Sequence, residues 1–262
     1  MLDLTTNGQK FLKPPMRYPG NKYNSLLHIV GRLPYMKTFV DVFGGSASVL
    51  LARRPHGLEV YNDRFSGVVD FYRALRDHLD LLTERLDVLL HSREEWERCV
   101  KTWQEPNPET VAGLVERGAR WDYSVQMAYG GIDRSWHRSL GSVNQSIAQY
   151  RAKIQLFPTI HTRFANVQIE NQEWWMCMND YDSESTVFYL DPPYLDQADA
   201  HYKHIVNHNQ LLETIFRMKG FVALSGYPTP LYDKYTWSDR IEWQRGNSLS
   251  SGQVTEVLWI KE

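Results

Sequence analysis

Asp191-Pro192-Pro193-Tyr194 places a carboxylate, proline carbonyls and an aromatic ring within four residues. The Asp191 carboxylate and a backbone carbonyl freed by the missing proline N–H groups supply two acceptors, one for each hydrogen of an exocyclic NH₂. Tyr194 supplies a face on which a planar ring can stack. Transfer of a group to an amine on an aromatic ring is the chemistry such a set suits. The bland alternative is an Asp-Pro turn closing a strand.

The elements that would hold this set can be read from the flanking patterns. Thr186-Val187-Phe188-Tyr189-Leu190 is a continuous apolar, β-branched and aromatic run, and two prolines end it. It predicts a buried parallel strand with the tetrapeptide at its carboxyl end, where open α/β sheets bind ligands. Upstream, Thr38 to Phe43 predicts a strand, Gly44-Gly45-Ser46 a tight turn and Ala47 to Arg54 a helix. This is the start of a nucleotide-binding βαβ unit, in which small residues let backbone amides approach a ligand, although glycine turns also join many strands and helices. Leu58 to Tyr61 predicts a second strand ending in Asn62-Asp63. An acid there, about 20 residues past the glycines, is placed to bind ribose hydroxyls, or else to cap a helix over Ser66 to Leu75.

Arg17-Tyr18-Pro19-Gly20-Asn21-Lys22 precedes apolar residues at helical spacing from Tyr23 to Leu33, closed by Pro34, which delivers Lys22 to a helix start. A lysine there taken alone is more often a solvated charge. Val167 to Glu170 predicts a third strand, after which Asn171 could hydrogen-bond a nucleobase-like ring, whereas Trp174 and Trp175 read as packing. The region from Phe71 to Cys99 is helical in spacing. Gly220 to Leu224 predicts another buried strand, and Trp243 with Val254 to Ile260 a closing hairpin with an antiparallel edge strand.

The 262 residues carry 29 basic and 31 acidic side chains, so any polyanion footprint must be local. Residues 117 to 163 meet that condition, with Arg117, Arg120, Arg134, Arg138, Arg151, Lys153 and Arg163 against Asp122 and Asp133. Within it, residues 129 to 141 mix glycines, Trp136, Arg134 and Arg138 in a loop pattern suited to phosphate contact and base-edge readout, or to a solvated surface. Cys99 and Cys177 lack metal-ligand or disulfide-framework spacing, and no stretch reads as a signal peptide or membrane span. An intracellular, cytoplasmic protein is expected.

Taken together, Tyr-Pro-Gly-Asn-Lys, Phe-Val-Asp-Val-Phe-Gly-Gly-Ser, Tyr-Asn-Asp, a long basic insertion and Phe-Tyr-Leu-Asp-Pro-Pro-Tyr resemble the Dam-type DNA adenine-N6 methyltransferases, from about Pro15 to Ile260. The resemblance implies a class I S-adenosylmethionine-dependent α/β fold. Its seven-stranded, mostly parallel sheet would be formed by residues 1–70 and 164–262, with a helical target-recognition insertion at 71–163. It assigns Asp191, Pro192, Pro193 and Tyr194 to catalysis. Tyr18, Lys22, Asp41, Phe43, Gly45, Ser46, Asp63 and Asp191 go to S-adenosylmethionine and Arg134 to DNA, while the reading of the residues themselves adds Asn171 to the cofactor set and Arg120, Trp136, Arg138 and Arg151 to the DNA set; no metal is implied. Duplex DNA is the implied partner, with a restriction endonuclease as a further candidate. Gly130 to Arg134 keeps loosely the stretch that GATC-reading members carry. Trp136-His137-Arg138 replaces the next one, as in phage and prophage relatives, which leaves the recognition sequence open. An amine of RNA, cytosine N4 or an inactive binding relative are the competing readings.

Overall fold

Residues whose side chains alternate between two apolar layers set the architecture. In the computed structural model, which describes residues 5–6, 9–89, 91–128, 135–137, 145–195, 206–246 and 253–262, a short ladder of β1 (Thr5–Thr6) and β2 (Gln9–Lys10) precedes the main sheet. The main sheet comprises β3 (Thr38–Asp41), β4 (Leu58–Asn62), β5 (Val167–Glu170), β6 (Thr186–Leu190), β7 (Phe221–Gly226), β8 (Asp239–Gly246) and β9 (Gln253–Lys261). Its order is β5-β4-β3-β6-β7-β9-β8. The first five strands across it are parallel, with Val40 opposite both Val60 and Phe188. This is the mostly parallel seven-stranded α/β sheet expected of the fold class.

The closing hairpin forms, with its edge strand antiparallel to its neighbour. The reversed strand is β9, which runs antiparallel to both neighbours and lies inside the sheet, while β8 takes the edge. The reason is burial: Val257, Leu258, Trp259 and Ile260 bury side chains towards both faces, whereas β8 is mostly exposed.

Alternate strand residues face different layers. Phe39, Tyr61, Val187, Tyr189 and Leu258 belong to a core shared with α1 (Leu26–Ile29), α2 (Ser48–Ala52) and the helices between β4 and β5. Those helices are α3 (Ser66–Asp77), α4 (Leu79–Asp87), α5 (Arg93–Thr102), α6 (Val111–Gln126), α7 (Gln145–Ile154) and α8 (Phe157–Phe164). Val40, Val60, Phe188, Leu224 and Trp259 face the other layer, covered by α9 (Trp174–Asp180), α10 (His208–Ile215) and α11 (Pro230–Asp233).

The single helix expected from Tyr23 to Leu33 is instead two 3₁₀ turns flanking α1. Gly31 and Pro34 leave about ten residues, too few to hold an α-helix by propensity. The shape is set by what Leu26, Ile29 and Leu33 pack against.

The basic stretch is also corrected, because several of its cations are spent inside the fold. Arg117 pairs with Asp70 at 2.6 Å and donates to the Gln104 carbonyl. Arg163 makes two 2.7 Å bonds to Glu59 and a third to the Leu50 carbonyl. Lys153 donates to Gln126. Gln126 in turn donates to the Pro15 carbonyl and to Asp122, tying the chain ahead of Tyr18 to α6.

Candidate active site

Parallel strands end together, and the loops leaving their carboxyl ends meet in one cleft. Tyr18, Lys22, Asp41, Phe43, Gly45, Ser46, Asp63, Asp191 and Pro193 line it. Gln172, Glu173 and Trp174 after β5 join them, together with Trp121 and Val125 from α6. Asn171 does not line the cleft; its amide donates to the carbonyls of Asp63 and Arg64 and braces the loop after β4. The Asn62 side chain adds a second brace. It donates to Val42 O and accepts from Gln172 N, so the ends of β3, β4 and β5 are cross-linked.

The glycine turn needs its glycines. A Cβ on Gly44 would stand 2.2 Å from the Tyr61 ring, and Gly45 has φ +47° with Tyr18 2.9 Å from where a Cβ would be. Tyr61 and Tyr72 hydroxyls donate to the carbonyls of Gly45 and Ser46, each at 2.7 Å, which fixes the turn from beneath with buried donors.

Asp63 closes this turn. Its Oδ2 accepts from Gly45 N–H at 2.9 Å and its Oδ1 from Phe65 N–H at 2.8 Å. The N-cap position of α3 is Phe65, with no side-chain cap, so Asp63 shapes the approach to the helix. Burial raises its pKa to about 6 against the effect of those two N–H donors. Asp41 is pushed well up by burial, with Asp191 and Asp63 adding to the shift. A cleft lined by these carboxyls suits a cationic ligand.

At the end of β6, Asp191 Oδ2 lies 2.7 Å from Lys22 Nζ. Lys22 is only 4% exposed, donates to Gly20 O at 2.9 Å and lies 5.1 Å from the centre of the Tyr194 ring. The solvated-charge reading therefore fails for it. Burial raises the Asp191 pKa, and the Lys22 ammonium opposes that rise. Pro192 and Tyr194 are buried, and Tyr194 packs edge-on against Tyr227 at 4.4 Å. Pro193 O accepts from His208 Nε2, whose Nδ1 meets the Tyr232 hydroxyl, a tautomer consistent with a buried histidine whose pKa is lowered.

Sequence reasoning missed Glu256 and Arg245. Glu256, 1% exposed on β9, lies 3.9 Å from Lys22, 2.7 Å from Arg245 Nε and 2.8 Å from Ser25 Oγ. An acid two residues past Val254 and just before the run Val257 to Ile260 was the available signal. Gln172 was also missed; its Oε1 is buried without a hydrogen-bond partner and lines the cleft.

Of the residues expected on DNA, Arg134 and Arg138 lie outside the described residues. Trp136 packs on His91 and Trp96, its backbone bridged to Ala128, and so anchors the segment after α6. Arg120 donates to Glu116 and to Thr102, and Arg151 is exposed. No helix among the described residues is long and apolar enough to cross a membrane.

The profile of the D12 class N6 adenine-specific DNA methyltransferases matches residues 18–215. Comparison with curated proteins finds no match.

Proposed function

The chain belongs to the D12 class N6 adenine-specific DNA methyltransferases and methylates adenine N6 in DNA, and from that premise we propose how its cleft does so. The observation that carries the proposal is the convergence of Lys22, Asp41, Gly45, Asp63 and Asp191 on one strand-end cavity. S-adenosylmethionine is the methyl donor this cavity fits. Its donor set offers Asp63 to ribose hydroxyls, the buried free Oε1 of Gln172 to a ligand N–H, and a turn in which a Cβ on Gly44 or Gly45 would clash. When bound, the donor supplies a methyl group already activated by positive sulfur.

The protein's task is then positioning. The target adenine leaves the duplex stack and lies on Tyr194. Asp191 and the Pro192 carbonyl accept its N6 hydrogens, which turns the nitrogen lone pair towards the methyl. Lys22 holds one Asp191 oxygen, leaving the other to the amine. Residues 71–163 serve target recognition on duplex DNA in the cytoplasm, beside a restriction endonuclease where one exists.

Expression in a methylation-free host, nucleoside mass spectrometry and single-molecule mapping test this reading. N6-methyladenine in DNA at a defined site is expected; N4-methylcytosine or a modified RNA base as the product would sink it. Within the same assay, Arg134→Ala is expected to relax site preference at one position, since an arginine–guanine contact discriminates by roughly 1 to 3 kcal/mol. Arg138→Ala should weaken binding to all sequences and make the salt dependence shallower by about one unit of slope. Unaltered preference or slope removes the corresponding role.

Asp63 gives a pH prediction. Its pKa of about 6 lies above the ordinary carboxylate value, so the ionised acceptor is present above that pH and is lost as pH falls through it. Cofactor affinity is expected to fall below about pH 6. Asp63→Ala should weaken binding by roughly 1.5 to 3 kcal/mol and flatten the pH dependence. Calorimetry on the folded variant showing wild-type affinity would leave Asp63 as a turn residue only.

A further inference from the structure

Glu256 stands on β9, beyond the residues the family profile matches, yet its carboxylate reaches Lys22, which lines the cleft. Lys22 sits between it and Asp191, 2.7 Å from Asp191 Oδ2 and 3.9 Å from Glu256 Oε1. Ser25 Oγ and Arg245 Nε hold Glu256 in place, and Trp243 Nε1 donates to Ser25 Oγ at 3.1 Å. The cluster thus has two cations and two carboxylates, with no net charge. We propose that Glu256 is a positioning residue for methyl transfer: it fixes the Lys22 ammonium against Asp191 and cancels the excess positive charge that Lys22 and Arg245 would otherwise turn towards the target amine. This rests on the assignment of Asp191 as the amine acceptor.

The reaction explains why charge balance matters there. The N6 lone pair forms the new bond to the methyl carbon while the carbon–sulfur bond breaks, its electron pair staying on sulfur. Positive charge therefore passes to N6 until one N–H proton moves to Asp191 and on to water. A cluster of net charge +1 beside that nitrogen would oppose the charge as it arrives, and in a site shielded from water the opposition is poorly screened. Neutralising Glu256 would also make Asp191 a weaker base. The groups facing Asp191 are Lys22, Asp41, Tyr189, Tyr194, Tyr232 and Glu256. Glu256 faces Lys22, Arg245, Tyr189 and Tyr194.

Glu256→Gln keeps the shape and an acceptor for Ser25 while removing the charge. Single-turnover methylation by the full chain is expected to slow about tenfold or more, with cofactor and DNA affinity little changed. The acid limb of the pH–rate profile should move to lower pH by roughly one unit, because loss of a nearby negative charge favours ionised Asp191. The Asp191 carboxyl carbon, identified by its loss in Asp191→Asn and followed by NMR in the cofactor-free protein, should show the same shift. Glu256→Asp should restore both. Arg245→Gln, which leaves the Glu256 charge uncompensated, should shift the titration the other way; it decides the matter if Glu256→Gln does not fold. An unmoved acid limb and carbon titration would make Glu256 a structural ion pair only. Failure of the underlying assignment is separate: Asp191→Ala would then retain its rate, whatever Glu256 does.

Discussion

Asp191→Ala is expected to cut methyl transfer by about a thousandfold or more while the protein still folds and binds its cofactor. The carboxylate sits just past a strand end in a cleft and its close partner is the Lys22 ammonium, so its removal costs little in apolar burial. Lys22 loses its 2.7 Å partner but keeps Gly20 O and the nearby Glu256 carboxylate, which spares the fold an uncompensated buried charge. Asp191→Asn keeps one acceptor oxygen and should lose less. Single-turnover assays with thermal melts as the folding control give the answer. Retention of more than about a tenth of the wild-type rate, under roughly 1.4 kcal/mol of barrier, would mean that another group accepts the amine.

The second large effect is on stability. Arg163→Ala should lower it by roughly 3 to 5 kcal/mol, because the change leaves Glu59 as a buried carboxylate without its partner. The two side chains are 8% and 7% exposed and joined by two 2.7 Å bonds, and Arg163 also holds Leu50 O, so α8, β4 and α2 come apart together. Urea denaturation should show an earlier midpoint with an unchanged slope. A loss below about 1 kcal/mol would equate the pair with a surface ion pair. Replacing both residues by apolar ones of similar volume is expected to recover much of the loss, since a buried pair has to overcome its own desolvation.

The sheet's parallel half was legible because a strand buried on both faces reads as an unbroken run, as Thr186 to Leu190 does, and a half-buried edge strand as an alternating one, as Val167 to Glu170 does. Val167 to Glu170 and Thr186 to Leu190 were placed to the residue. Prolines and glycines then marked where those runs stop, and ligand sites lie at such ends. Strand order is another matter: nothing in the periodicity of Val254 to Ile260 says which neighbour it will choose, so the sequence does not tell which arm of the hairpin lies inside the sheet. Charge was the least legible property. A count of cations between Arg117 and Arg163 cannot see that Asp70 lies 47 residues from Arg117 or Glu59 104 from Arg163. The same blindness hid Glu256, whose partner Ser25 is 231 residues away, and made Lys22 look solvated. Pairing of this kind is decided by topology, after the apolar pattern has built the sheet.

Trp121 and Val125 belong to α6, between β4 and β5, yet they form part of the wall of the strand-end cleft. Recognition segments of this enzyme therefore cannot be exchanged as a cassette spanning residues 71–163. Such a graft would strip one side of the cleft, break the Arg117–Asp70 pair and release Gln126 from Pro15. A chimera that alters target choice while keeping the cleft intact should retain α3 to α6 and take foreign sequence only after Ala128, where the chain has left the last residue that touches the cleft from that helix.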